Sequence, residues 1–437
     1  MDKTKIAVIG GGSSYTPELI EGLISHATHL SLEEVWLCDI EEGKEKMDII
    51  YYLANRMVKK AGRPFKVFAT FDRRKAIENA DFVITQIRVG QLQMRKQDEY
   101  IPIRHGLIGQ ETTGAGGFMK ALRTIPVILD ICRDIEELAP DAWLLHFTNP
   151  AGIITEASLK YSNVKTVGLC NNPINFYKTF AQYYGVSMDA VSVDFAGINH
   201  LNWIIDFFIN GESKLQDVLS GRKKTYQAEN IPAFDWDSGF LQSLGAIPSG
   251  YHRYYYQKDM ILHKQKEELK KGTTRADEVM KLEKELFQTY ADTKLEEKPE
   301  SLEKRGGAFY SEAAVNLITS IYLNTGNIHT VNVRNNGAIS CLPDDACVEV
   351  NCMVEKHRIV PLQVEERKIS PQIRGLLQAI NAYEELTVEA AVHGDRGKAI
   401  QALTLHPLIG SFEKADRVMH DLFEANKPYL KTFFEDS

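Results

Sequence analysis

The chain has 437 residues, 44% of them hydrophobic and 25% charged, with a formal net charge of −8. That length exceeds one ordinary core and predicts two domains of a soluble globular protein. No stretch approaches the ~18–20 apolar residues that span a bilayer, so no membrane partner is expected; the acidic balance argues against nucleic acid but leaves room for an anionic small molecule held by local arginines.

The N-terminus runs directly into an apolar β-type run, Ile6-Ala7-Val8-Ile9. No secretory leader is expected, and the expected compartment is the cytoplasm. Gly10, Gly11 and Gly12 follow, then Ser13, Ser14, Tyr15 and Thr16, with Pro17 placed for the first turn of a helix, where its missing N–H costs little. Strand, glycine turn and helix are the context of a dinucleotide fingerprint. Gly10 permits the tight turn, and Gly12 lets the backbone approach a pyrophosphate that the helix N-terminus attracts, with Ser13 and Ser14 in the same turn. A strict G-x-G-x-x-G would place glycine at Tyr15, so helix and strand are expected to pack less closely. The next strand, 35–38, ends at Asp39, whose carboxylate suits the ribose hydroxyls of NAD and repels a 2′-phosphate. Taken alone, the motif also fits a glycine turn in an ordinary α/β domain.

Further strands are expected over 65–70, 81–87, 143–147 and 164–169, with helices over 73–79 and 117–138. This alternation predicts an α/β fold, a Rossmann-like doubly wound parallel sheet over residues 1–195. Ligands of such sheets bind beyond the carboxyl ends of the strands, where Arg88, Asn149 and Cys170 stand. Residues 196–437 read as an α+β domain. Strands 191–196 and 202–208 flank Gly197-Ile198-Asn199-His200. A polar helical run covers 257–289 and another helix 308–324. Alternating strands fill 328–361, with a turn signal at Asn335-Asn336-Gly337, and helices over 367–393, 395–405 and 412–432 close the chain.

None of the six cysteines forms a CxxC pair, and structural disulfides are not expected. Most read as small buried apolar residues. Cys170 differs, because a thiolate at the end of a strand is a good ligand for a divalent transition metal. His200 supplies an imidazole, though two ligands so far apart fit equally a buried cysteine and a hydrogen-bonded histidine. The glycine-rich loop 108–117 contains Glu111 and suggests a backbone shaped round a ligand, or else a solvated turn. Arg88, Arg95 and Arg104 precede it and either pair with an anionic substrate or are surface charges. In the tyrosine-rich run 248–256, Tyr251 is a base only if a cation lowers its pKa, and His252 is a second candidate.

In chain order, IGGGSSYTPEL, GLIGQETTGAGGF, FTNPAG, GLCNNP, GINHL and RGGAFYS resemble the blocks of the family-4 glycoside hydrolases over residues 5–407, and most of all its 6-phospho-β-glucosidases. These NAD-dependent enzymes are an exception to two-carboxylate glycoside hydrolysis. The resemblance implies hydride removal from sugar C3 by NAD⁺, proton removal from C2 by a tyrosine, elimination at C1, water addition and return of the hydride. A divalent metal, typically Mn²⁺, stabilises the enediolate. Residue by residue, it implies Cys170 and His200 as metal ligands, Tyr251 as catalytic base and Glu111 as the acid that raises its basicity. Arg95, Asn149 and Arg275 would contact substrate, the arginines suiting a 6-phosphate; Ser13 would reach the same phosphate and Arg88 the sugar. Asn171 stands where α-acting members carry an aspartate acid, which argues for a β-linked substrate such as cellobiose 6-phosphate rather than a 6-phospho-α-glucoside. The resemblance further implies a homo-oligomer, dimer or tetramer, with the second domain carrying substrate binding, catalysis and oligomerisation. A plain NAD-dependent sugar or hydroxy-acid dehydrogenase would differ by accumulating NADH, and an NAD-sensing regulator by a basic DNA-binding helix, which the sequence does not show.

Overall fold

A computed structural model describes residues 3–222, 235–305 and 310–434. Apolar runs that are buried on both faces form the first sheet, as parallel strands covered by helices require. Thr4–Ile9 (β1), Leu32–Cys38 (β2), Lys66–Thr70 (β3), Phe82–Thr85 (β4), Trp143–His146 (β5) and Lys165–Gly168 (β6) are parallel in the order β3-β2-β1-β4-β5-β6. This is the doubly wound order of dinucleotide-binding folds, with its reversal between β1 and β4, beside the glycine turn.

The later strands divide. Val191–Ile198 (β7), Leu201–Ile209 (β8), Glu212–Ser213 (β9) and Ile247–Pro248 (β10) make a separate antiparallel sheet. Ile328–Arg334 (β11), Cys347–Val354 (β12) and Ile359–Pro361 (β13) instead extend the first sheet beyond β6 to nine strands, joined where Asn332 pairs with Gly168. Both halves of the chain therefore build one sheet.

Two sequence expectations change in detail, and a third lies partly outside the described residues. The helical run over 257–289 is two helices, Lys258–Lys270 and Arg275–Tyr290. Gly272 takes φ +77 between them, and Thr274 with Asp277 forms a capping box; a glycine stop followed by a threonine start breaks the helix. The turn at Asn335-Asn336-Gly337 opens a longer loop, 335–346, held by Asn335 Nδ2, which donates to the carbonyls of Ile339, Leu342 and Pro343 at 3.0–3.1 Å. The helix expected from 308 is described as Tyr310–Leu323, and most of the block 305–311 lies outside the described residues. Four further helices carry weak sequence signals: Lys44–Lys60, Gln91–Arg104, Ala151–Tyr161 and Asn172–Tyr184. Gln91–Arg104 buries Arg95, Asp98 and Glu99 among its apolar residues, so it lacks the apolar periodicity by which helices are read.

Gly114–Leu138 is the central helix, buried through its first three turns. It packs against Pro371–His393 from the end of the chain. Among the described residues, no helix is long and apolar enough to cross a membrane.

Candidate active site

A cavity of about 990 Å³ opens at the carboxyl ends of β1, β2, β4, β5 and β6, and fourteen residues expected from the sequence line it: Gly10, Gly12, Ser13, Ser14, Asp39, Arg88, Arg95, Glu111, Asn149, Cys170, Asn171, His200, Tyr251 and Arg275. Two other candidates lie elsewhere. Arg104, at the end of its helix, faces the Tyr100 ring at 5.7 Å. His252 is fully buried, bonded through Nδ1 to Ser249 Oγ at 3.1 Å and packed on Trp203; the core holds it, and Tyr251 alone of that pair reaches the cavity.

The glycine turn is shaped by close approach. Gly10 takes φ +93, and a Cβ there would meet the Gln86 carbonyl oxygen at 2.8 Å. Gly12 donates its N–H to Asp39 Oδ2 at 2.7 Å, and Ile40 N–H donates to Oδ1 at 2.8 Å. Burial pushes the Asp39 carboxyl up, against the pull of these two N–H groups. Each of its oxygens keeps a lone pair for a ribose hydroxyl. Lys46 and Arg73, the nearby cations, are paired with Glu283 and Asp134, so neither is committed to a 2′-phosphate. Thr16–His26 begins at this turn with Pro17, which has no N–H, in its first turn; the N–H groups of Thr16, Glu18 and Leu19 bond to the carbonyls of Ser13 and Tyr15, so the helix favours a pyrophosphate through the positive end of its dipole. The Asp39 acceptor, the helix dipole and the room fit NAD.

At the other end, Cys170 follows β6 and precedes Asn172–Tyr184. Asn172 N–H donates to its sulfur at 3.4 Å. Burial pushes the thiol up and the charge of Glu349 adds to this, while N–H groups of Asn172, Asn199 and Asn171 pull it down. A divalent cation that binds here displaces that proton. His200 occupies the tip of the β7–β8 hairpin at φ +61, a costly conformation for a non-glycine residue. Its Nδ1 meets Thr112 Oγ1 at 3.0 Å, which leaves Nε2 for a ligand. Burial and then Lys120 push its pKa down to about 3, keeping the imidazole in the neutral form that metals bind. One thiolate and one imidazole fit a borderline transition metal, with further positions for substrate oxygens. The Tyr251 ring stacks on the His200 ring, centroids 3.8 Å apart at 10°.

Between these ends lies a charged cluster. Glu111 accepts from Arg88, from Arg95 Nη1 at 2.9 Å and from Lys120 Nζ at 2.9 Å. Burial alone would raise its pKa, but Arg88, Arg95 and Lys120 outweigh it and hold the carboxyl well below the usual range. Arg95 Nε also donates to Glu99 at 2.9 Å, and Glu99 accepts the Ala276 N–H at 2.7 Å, tying this cluster to the helix that starts at Arg275. Arg275 Nη1 donates to Glu278 at 2.6 Å, whereas its Nε is buried without a hydrogen-bond partner. Arg275 as a whole lines the cavity, and a guanidinium there suits a phosphate oxygen.

The sequence reading omitted Lys120, Thr112, Glu99 and Tyr254, which also line the cavity. Burial, then Arg88, pushes Lys120 down to about 7 against the opposing pull of Glu111. A lone lysine in the apolar run Phe118-Met119-Lys120-Ala121-Leu122 was the available signal, since a cation enters such a helix only with a partner.

Comparison with known proteins identifies the family. The model of the family 4 glycosyl hydrolases matches residues 5–186, and that of the family's C-terminal domain matches residues 195–409. The chain is 50% identical to a probable 6-phospho-β-glucosidase of Bacillus subtilis (strain 168), covering 98% of both chains. It is 42% identical to the 6-phospho-β-glucosidase of Escherichia coli (strain K12), covering 99% of this chain and 97% of that one. The structure of the 6-phospho-β-glucosidase from Thermotoga maritima with manganese, NAD⁺ and glucose-6-phosphate superposes with a TM-score of 0.88 at 37% identity, covering 98% of this chain and 99% of that one. The chain belongs to family 4 of the glycosyl hydrolases.

Proposed function

We propose that this enzyme is a 6-phospho-β-glucosidase of the cytoplasm that hydrolyses phosphorylated β-disaccharides of the cellobiose 6-phosphate type, with NAD and a divalent metal, Mn²⁺, as cofactors. The observation that carries the reading is the convergence of the glycine turn, Asp39, the Cys170–His200 donor pair, Tyr251 and the arginines on one cavity. When bound, NAD supplies a hydride acceptor and donor at C3, and the metal supplies Lewis acidity at O2 and O3.

The remaining work falls to side chains. Gly10, Gly12, Ser13 and Ser14 hold the pyrophosphate, and Asp39 the ribose. Cys170 and His200 hold the metal. Arg95 and Arg275 clamp the 6-phosphate with Ser13, and Asn149 and Arg88 orient the sugar hydroxyls. Tyr251 takes the C2 proton on its phenolic oxygen, beside the imidazole that bears the metal, where positive charge favours phenolate. Glu111 fixes Arg88, Arg95 and Lys120 and supports Tyr251 as base. The Asn171 amide is too weak an acid to protonate the leaving group, which favours β-linked substrates. Residues 1–195 hold the cofactor, and 196–437 complete substrate binding and catalysis and mediate assembly into a dimer or tetramer.

The test is hydrolysis of p-nitrophenyl β-D-glucopyranoside 6-phosphate with and without NAD⁺, Mn²⁺ and reductant, against the α-anomer and the unphosphorylated sugar. Turnover of the β-phosphate that needs both cofactors and leaves no NADH supports the reading. Preference for the α-anomer overturns the β assignment, and steady NADH production without hydrolysis overturns the hydrolase.

A further inference from the structure

Behind the metal-ligand pair lies a polar network that no part of the catalytic cycle above uses. Glu349 stands on β12 with no exposed surface. Its Oε1 accepts Asn199 Nδ2 at 3.0 Å and Asn332 Nδ2 at 3.1 Å, and its Oε2 accepts Asn202 Nδ2. Three amides thus aim their N–H groups at one carboxylate. In doing so they leave Asn202 Oδ1 and Asn332 Oδ1 buried without a hydrogen-bond partner, so all three amides are turned toward this one carboxyl at a cost to two of them.

The partners sit at informative places. Asn199 precedes His200 at the hairpin tip, and Asn202 is the second residue of the returning strand, paired with Gly197. Asn332 pairs with Gly168 on one side and with Glu349 on the other, and Gly168 ends β6 two residues before Cys170. A Cβ at Gly168 would meet Asn332 Cβ at 2.9 Å, and one at Gly152 would meet Asn199 Cβ at 3.0 Å, so the network is packed closely against its surroundings. The field of Glu349 and an N–H of Asn199 both reach the Cys170 sulfur.

We infer that Glu349 is a positioning residue of the metal centre, joining the His200 hairpin to the β6 end that carries Cys170 and so setting the separation of the two ligands. The inference rests on the reading of Cys170 and His200 as metal ligands. Outer groups that orient metal ligands act in this way, and their loss typically costs about 10–100-fold in metal affinity.

The test uses the full chain stripped of metal, titrated with Mn²⁺ and, separately, with NAD⁺. Glu349→Gln is expected to weaken Mn²⁺ binding about 10–100-fold with NAD⁺ affinity unchanged. A purely structural defect would lower melting temperature and affect both ligands. Asn332→Ser, which keeps the carboxylate and cuts one arm, is expected to weaken Mn²⁺ binding less, and it decides the matter should Glu349→Gln not fold. Adding Asn332→Asp to Glu349→Gln moves the carboxylate across the strand pair and is expected to restore part of the affinity. Wild-type Mn²⁺ affinity in the folded variants overturns the inference. Cys170→Ser separates the two readings: if it too binds Mn²⁺ normally, the metal site itself is wrong, and if it alone loses Mn²⁺, only the role of Glu349 falls.

Discussion

A methyl group added at position 12 would lie 2.9 Å from Asp39 Oδ2 and 3.2 Å from the Met47 backbone nitrogen. Gly12→Ala must therefore push Asp39 off the loop it anchors. Losing a hydrogen bond to a charged group costs about 1.5–3 kcal/mol, so NAD⁺ affinity should fall at least tenfold by fluorescence titration. Unchanged affinity would mean that the loop does not take the dinucleotide. His146 makes a different test. It is fully buried between Thr85 Oγ1 at 2.8 Å and Ser158 Oγ at 2.9 Å, and burial pushes its pKa down to about 3. The unfolded chain, with histidine near ~6.5, takes up a proton that the fold refuses. The stability due to neutral His146 is present above ~6.5 and is lost as pH falls toward about 3, at about 1.4 kcal/mol per pH unit. His146→Asn should flatten the fall in urea stability between pH 6 and 4 by about one proton, and an unaltered slope would show that His146 titrates normally. At this scale the sequence pointed to cavity-lining positions where chemistry and local geometry coincide, as at Gly10, Asp39, Cys170 and Tyr251. Thr112 and Glu349 were not readable, because their meaning lies in partners far along the chain, His200 for the one and Asn199 and Asn202 for the other.

At the scale of elements, the break between Lys258–Lys270 and Arg275–Tyr290 puts Arg275 at a helix start, and Thr274 sets that start. Thr274 N–H donates to Asp277 Oδ2 at 2.9 Å within the capping box. Thr274→Ala removes about 1 kcal/mol of cap and loosens the first turn. KM for a 6-phosphoglucoside is expected to rise several-fold with kcat nearly constant. Arg275→Ala should raise it at least tenfold, since a charged hydrogen bond is lost outright, while the unphosphorylated glucoside is little affected. Equal responses from both sugars would show that Arg275 does not read the phosphate. The strands of the first sheet were legible because burial on both faces leaves continuous apolar runs. The helices that build the site were not, since Gln91–Arg104 spends its inner face on Arg95, Asp98 and Glu99. The loop after Asn335 followed the expected turn but ran on, as side-chain bonds from Asn335 stabilise a longer excursion.

For the whole molecule, the sheet's composition outweighs the order of the chain. A reading by successive segments saw a parallel sheet and then an α+β domain, because pairing between β6 and β11 joins residues too far apart for any local pattern to reveal. One apolar core runs from Ile6 in the first strand to Phe433 near the end of the described chain. It takes in Gly114–Leu138, Pro371–His393 and the helix 310–323, which packs on Thr16–His26. Cutting the chain at 195 would bare the edge of β6 and the flank of Gly114–Leu138, two surfaces that cannot stay dry alone. Cooperative unfolding follows from such sharing, because neither half keeps its core when the other melts. Trp143 lies in the first sheet and Trp203 in the second, each buried. Variants that retain one of these tryptophans and replace the other three by phenylalanine should melt at the same temperature by fluorescence, coincident with far-UV circular dichroism, and a fragment of residues 1–195 should not fold. Two midpoints separated by more than a few degrees, or a fragment with a cooperative transition of its own, would show that the halves are independent and that only the cleft between them is shared.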